Sequence, residues 1–188
     1  WNTSSLANLA DTFKDNNSFN QNLSNWDTSS VINMRETFQN AVFNNVLASG
    51  VSNTLQWDTS SVTRMDNMFE GANDFNGNIS GWNVSNVTRM NRMFFNASVF
   101  NQDLSNWNTS SATSLQGMFN GATIFNNGLA AADSSTIMNW STLNVITIES
   151  TFASAPAFNG NISGWDVSNV TNANNLFNGA TNFNHPLG

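Results

Sequence analysis

Asparagine followed two places later by serine or threonine is the chemistry-bearing pattern that recurs along this chain. It stands at Asn2, Asn16, Asn22, Asn78, Asn83, Asn86, Asn96, Asn108, Asn139, Asn161 and Asn169. In a chain that enters a glycosylating secretory route, each is an acceptor for N-linked sugar. A composition so rich in Asn, Ser and Thr also produces many by chance. Other reactive sets are sparse. His185 is the single histidine, beside Pro186, and it has no second ligand or nucleophile near it in sequence. Arg64, Arg89 and Arg92 cluster with Asp66 and Glu70 close enough to neutralise them, which reads as a solvated surface group. No Ser–His–Asp set or carboxylate pair assembles by spacing, so no catalytic residue, cofactor site or metal site is expected and the chain reads as no enzyme.

The elements that must position these residues are copies of one segment. Seven Trp open seven copies, at 1, 26, 57, 82, 107, 140 and 165, separated by 25, 31, 25, 25, 33 and 25 residues. A fixed period in this range signals a stacked repeat array. With each Trp as position 1, Phe recurs at position 13 in every copy and at position 19 in six, followed by Asn; Phe43 comes one place early. Position 23 is Leu or Ile at Leu23, Ile79, Leu104, Ile162 and Leu187, and position 16 is Ala in all copies but the first. These are the candidate core columns. Several of the Asn-x-Ser/Thr sites also share a phase: position 2 at Asn2, Asn83 and Asn108, position 5 at Asn86 and Asn169, and position 22 at Asn22, Asn78 and Asn161. Sugars at one phase would line up as a column. Residues 1–188 read as a single repeat domain and as a window of a longer array, since the chain opens on the first residue of a copy.

Composition narrows the partners. Twelve acids against five bases give a net charge of −7, which argues against nucleic acid, whose binding needs clustered Lys and Arg. There is no cysteine, so disulfides and thiolate metal sites are excluded. No apolar run approaches the ~20 residues of a membrane span.

Within a copy, positions 20–27 suit a short strand, paired in parallel with its counterpart in the next coil. Apolar residues at positions 6, 9, 12, 13 and 16 (Val62, Met65, Met68, Phe69 and Ala72 in the third copy) have helical spacing and predict a short helical turn, with Gly71 at its close; alternatively Val62–Met65 forms a second strand. The expected fold class is an α/β repeat solenoid with a parallel sheet on one side and a short helical turn per coil.

The stretch WDTSSVTRMDNMFEGANDFN from Trp57 and its near-copy WNVSNVTRMNRMFFNASVFN at Trp82–Asn101 resemble the BspA-type leucine-rich repeats, in the 25-residue form of mycoplasma-type lipoproteins and microbial surface proteins. The resemblance spans the chain and is weakest in the sixth copy. It implies a right-handed leucine-rich-repeat-like solenoid on an extracellular or cell-surface protein concerned with adhesion and protein interaction, and it brings no catalytic residues. The Asn at position 20 (Asn20, Asn76, Asn101, Asn126, Asn159 and Asn184) is similar to the asparagine ladder of leucine-rich repeats, with a physical reason: a stacked amide satisfies backbone groups that a tight turn leaves buried.

The Trp column reads as a stacked core corner with its indole N–H on a backbone carbonyl, in preference to a sugar-binding platform. Two insertions, Asn44–Gln56 and Asn127–Asn139, interrupt the coil just after the second Phe and are expected on one edge. The leading expectation is a structural and adhesive rod or fibre subunit, glycosylated and stacking head to tail on copies of itself. The alternative is a recognition module that binds a host protein or glycan through the sheet face and the two insertion loops. A lattice-binding face is a third, minor reading, resting on Thr3, Thr28, Thr59, Thr109 and Thr142 at position 3.

Overall fold

The structure, a computed structural model, describes residues 1–45, 54–135 and 137–187. The seven copies stack, each on the next, but not as an α/β solenoid. Among the described residues there is no helix and no sheet. Position 8 alone forms a column of isolated parallel bridges, Asn8–Asn33–Arg64–Arg89–Ser114–Thr147–Asn172; two further bridges join Thr54 to Asn78 and Ile137 to Asn161. The expected parallel sheet along positions 20–27 and the helical turn over positions 6–16 are both overturned, and with them the leucine-rich-repeat-like coil.

The reason lies in the backbone of positions 9–16. Residues at positions 11 and 15 have positive φ in all seven copies: Asp11 and Asp15, Glu36 and Asn40, Asn67 and Gly71, Arg92 and Asn96, Gly117 and Gly121, Ser150 and Ser154, Asn175 and Gly179. Two left-handed residues four apart forbid a right-handed helix. Alternate amides then point in different directions. In the third copy the odd-numbered N–H groups donate to the next coil: Met65 to Arg89, Asn67 to Asn91, Phe69 to Met93 and Gly71 to Phe95, at 2.7–2.9 Å. The even ones turn back three residues, Met68 to Met65, Glu70 to Asn67 and Ala72 to Phe69, at 3.1–3.2 Å. The same crossings recur between later coils, for example Phe119 to Thr151 and Ser150 to Asn174. A turn that advances four residues puts positions 9, 13 and 16 inward with the same spacing as a helix. The helical expectation therefore had the right spacing and the wrong backbone.

Position 15 shows how closely the coils approach. It alternates Asn40, Gly71, Asn96, Gly121 down the stack. A Cβ on Gly71 would collide with Asn40 Oδ1, and one on Gly121 with Asn96 Oδ1. Each glycine leaves room for the amide of the preceding coil while also holding the left-handed conformation.

The inward side chains form columns. Phe13, Phe38, Phe69, Phe94, Phe119, Phe152 and Phe177 stack with centroids 5.3–5.9 Å apart and planes within 7°. A parallel column runs Phe19, Phe43, Phe75, Phe100, Phe125, Phe158, Phe183 at 5.8–6.4 Å. Within each coil the two Phe lie 3.8–4.5 Å apart, so the columns are joined at every level. Phe43 keeps its place in the column despite its sequence shift. Met65, Met68, Met90, Met93 and Met118 fill the rest, fully buried. Leu55 and Met138 take the position-23 place in the two coils with insertions, and both are buried.

Replacing Phe94 by Ala removes one ring from the middle of a column and leaves a cavity bounded by Phe69, Phe100 and Phe119. A loss of ~3–5 kcal/mol is expected in urea unfolding. Phe13→Ala, at the half-buried end of the same column, is expected to cost less.

Candidate functional site

The most ordered polar feature is an asparagine column. Asn20, Asn44, Asn76, Asn101, Asn126 and Asn159 each accept, through Oδ1, the backbone N–H of the next asparagine in the series, ending at Asn184, at 2.8–2.9 Å. The six position-20 asparagines stand in this column, and Asn44 is a seventh member. Its signal in the sequence was the retained Phe-Asn dipeptide, Phe43-Asn44, displaced by one place. Asn126 is fully buried and Asn159 nearly so.

The second insertion is fastened to this column. Asn101 Nδ2 donates to the Leu129 carbonyl, Asn126 Nδ2 to those of Ala130 and Asp133, and Asn159 Nδ2 to that of Ala132. The segment thus lies along three coils instead of projecting from them. Leu129, Ala130 and Ala131 form one wall of an open cleft whose other side includes Ile124, Pro156 and Ala157. Residues 46–53 of the first insertion, and residue 136 of the second, lie outside the described residues.

Both insertions begin with the same device, which sequence reasoning missed. Asn45 and Asn127 directly follow a column asparagine, have φ of 47° and 51°, and are buried. Asn45 Oδ1 accepts the Leu23 N–H at 2.9 Å, and Asn127 Oδ1 the Leu104 N–H at 2.8 Å. Their Nδ2 groups reach Ser24 Oγ and Ser105 Oγ. The repeated Asn-Asn at 44–45 and 126–127 was the available clue.

The Asn-x-Ser/Thr sites have a structural use that accounts for their phase. At position 2, Asn2, Asn83 and Asn108 accept the N–H of the serine two places on, closing an Asx turn. Asp27, Asp58 and Asp166 make the same turn at the same position. Position 22 repeats it with Asn22, Asn78 and Asn161, and with Asp103. Asn16 accepts from Ser18 and Phe19. Serine hydrogen bonds to their carboxylates hold Asp27, Asp58 and Asp166 below the usual carboxylate range.

Position 5 is another column: Asn86 and Asn169 donate Nδ2 to the Ser60 and Leu143 carbonyls of the preceding coil, as Ser30, Ser61 and Ser111 do with their hydroxyls to Ser4, Ser29 and Ser85. Asn96 packs across Gly121, and Asn139 is exposed. Sugar attachment is not needed to explain any of these phases.

Trp57, Trp82, Trp107, Trp140 and Trp165 are buried, and each indole N–H donates to a backbone carbonyl one coil earlier (Leu23, Leu55, Ile79, Leu104 and Met138) at 2.8–3.2 Å. Buried rings offer no platform for sugar. The lattice reading fails for a similar reason, because Thr3, Thr28, Thr59, Thr109 and Thr142 are all buried. Thr28, Thr59, Thr109 and Thr142 each donate their hydroxyl to a carbonyl of the next coil.

The charged groups pair along one strip: Lys14 with Glu36, Arg35 with Glu36 and Asp11, Arg64 with Asp66, and Arg92 with Glu70, at 2.5–3.3 Å. Arg92 also lies 3.9 Å above the Phe95 ring. Arg89 is exposed. His185 sits beside Phe183, 6.3 Å between ring centroids. Among the described residues no three His, Cys, Asp or Glu gather as a metal would require, and no helix is long and apolar enough to cross a membrane.

A family described as "Mycoplasma protein of unknown function, DUF285" matches residues 1–49, 41–137 and 129–188. The chain belongs to this family. In this member of DUF285 the matched segments together span all seven copies, both insertions included. No curated protein and no solved structure matches the chain.

Asn101→Ala would leave the N–H groups of Asn126 and Gly128 and the Leu129 carbonyl without their partner. The expected loss is ~1–3 kcal/mol in denaturant unfolding, with proteolysis in the 127–139 segment enhanced. Asn101→Asp keeps the acceptor and loses only the donor, so it should recover part of the stability.

Proposed function

We propose that this chain is a non-enzymatic, extracellular structural and adhesive repeat protein, a rod or fibre subunit that stacks head to tail on further copies. One observation carries the reading: every coil presents to its neighbour the same set of columns, in the same register. The Phe pair, the Trp, the column asparagine and the crossing amides of positions 9, 11, 13 and 15 recur from coil to coil. A surface built this way recognises another coil of its own kind. Because the two faces of a coil differ, the contact is heterologous and extends without closing.

The first and the seventh coil each expose an apolar face that a further coil of the same kind would cover. At one, Trp1 is fully exposed and Phe13, Phe19 and Trp26 are half-buried around a shallow groove that includes Leu23. At the other, Trp165, Val167, Val170, Leu176 and Leu187 line a groove, with Val167 and Leu187 each more than half exposed. Both are apolar, as expected of the inside of an array. The surface setting that the BspA-type resemblance implies fits such a rod, and the Asx-turn asparagines stay available for sugar without being required for assembly.

A second reading, recognition of another surface protein or glycan, is favoured by one feature only. It is the open cleft that the second insertion makes with Ile124 and Pro156.

Sedimentation velocity over a concentration series, with electron microscopy of the same samples, tests the rod. Open-ended assembly that grows with concentration is expected. Val170→Asp, which places a charge in one end groove, should abolish assembly while single chains melt close to the parent. Single chains at all concentrations would overturn the reading, and deletion of 128–135 would then test the cleft.

A further inference from the structure

Four times the chain enters a new coil through Leu or Ile, two further residues and then Trp. The Trp N–H closes that turn onto the aliphatic carbonyl: Trp26 to Leu23, Trp82 to Ile79, Trp107 to Leu104 and Trp165 to Ile162, at 2.9–3.1 Å. The two copies with insertions return one residue short, as Leu55-Gln56-Trp57 and Met138-Asn139-Trp140. Neither the Trp57 N–H nor the Trp140 N–H has a hydrogen-bond partner among the described residues. The copy after each short turn ends in the same residues, Phe-Asn-Gly-Asn-Ile-Ser-Gly, at 75–81 and 158–164. Its last glycine, Gly81 or Gly164, stands where other copies have Asn25 and Asn106. A Cβ on either glycine would meet nothing within 4 Å, and neither has a positive φ. Neither backbone conformation nor crowding accounts for them.

What Gly81 adjoins is a groove of about 350 Å³ between the short turn and the coil after it. That size lies at the lower end for a small-molecule site. Leu55 and Ile79 give the groove an aliphatic side, and Gln56, Asp58 and Asn78 a polar one. Gln56 and Asp58 are exposed. Asn78 spends its Oδ1 on the Ser80 N–H at 3.0 Å, and its Nδ2 has no partner among the described residues. Hydrogen bonds from Ser60 hold the Asp58 carboxyl below the usual carboxylate range, so it is ionised at neutral pH.

These groups narrow the ligand. An anion is opposed by Asp58, and a cation by the Trp57 and Asn78 donors. A neutral molecule fits if it has an acyl carbonyl for the free N–H, hydroxyls for the carboxylate and a methyl for the aliphatic side. We propose that this groove binds an N-acetylated sugar, with its acetamido carbonyl on the Trp57 N–H and its hydroxyls on Asp58 and Gln56. The indoles of Trp57 and Trp82 stay buried, so hydrogen bonds and the aliphatic side hold the sugar without ring stacking. At the second short turn Ser141 stands in place of Asp58, so that counterpart lacks the carboxylate. The groove is complete within the second and third copies. It depends neither on head-to-tail assembly nor on the cleft beside the second insertion.

The test is ligand-observed saturation-transfer NMR on the full chain, made in a host that attaches no sugar to Asn78. The probes are the methyl glycosides of N-acetylglucosamine and of glucose, and N-acetylalanine methylamide as a peptide mimic. Saturation strongest on the acetyl methyl of the acetylated sugar is expected, with little on either of the others. Gly81→Leu fills the groove without meeting a neighbour at Cβ, so it should abolish the signal while the melting temperature stays close to the parent. Asp58→Asn keeps a residue that closes the same turn at Asn83 and Asn108, and should weaken binding about tenfold. Gly164→Leu should leave most of the signal. No saturation of the acetylated sugar, or a signal unchanged by Gly81→Leu, would overturn the inference. So would the peptide mimic binding as well as the sugar, which would make the groove a peptide site.

Discussion

Hydrogen bonding of the backbone between coils is the constraint from which the rest of this structure follows. In each copy the amides of positions 9, 11, 13 and 15 have no acceptor within their own turn. An amide in this position can be buried only if the next coil supplies a carbonyl at the right height. That requirement fixes the register of the stack, and it tolerates extra residues only where the chain leaves the crossing region. Both insertions obey this, departing after Asn44 and Asn126 and returning at Leu55 and Met138.

The side-chain columns are consequences of that register. Once each coil sits directly over the last, identical residues meet, and the useful types are those that gain from meeting themselves. Phe stacks on Phe in offset parallel pairs. Asparagine hands its carbonyl to the amide of the next asparagine. A small residue at position 15 leaves room for a neighbouring amide, which is why Asn and Gly alternate there. Like charges do not gain, so the charged strip mixes acids and bases between coils, as at Lys14 with Glu36 and Arg92 with Glu70.

Much of this was legible. The period, the seven copies, the two Phe columns and the buried Trp all follow from residue identity at fixed spacing. The backbone was not. A spacing of three to four residues between Val62, Met65, Met68, Phe69 and Ala72 is shared by a helix and by successive four-residue turns, and hydrophobic periodicity alone does not separate them. The separating signal was weak: position 15 holds Asp, Asn, Gly, Asn, Gly, Ser, Gly, types that tolerate positive φ, but position 11 admits Glu36 and Arg92. Reading Gly71 as a helix end found the left-handed residue and missed its partner at Asn67. The glycan pattern misled for a related reason, because Asn-x-Ser is also the sequence of an Asx turn. The exchange of Asn83 for Asp at the equivalent Asp27, Asp58 and Asp166 was the sign that the turn comes first.

The left-handed pair in every coil is the central claim, and Ser150 tests it most directly. Its φ is 54°, and no side-chain hydrogen bond complicates its replacement among the described residues. In an α-helix, Gly at this position would be ~1 kcal/mol less stable than Ala. In the left-handed region the order reverses, because a Cβ there costs ~1–2 kcal/mol that glycine avoids. The measurement is denaturant unfolding of Ser150→Gly and Ser150→Ala side by side. Glycine the more stable of the two is the predicted result; alanine the more stable would contradict the backbone described above.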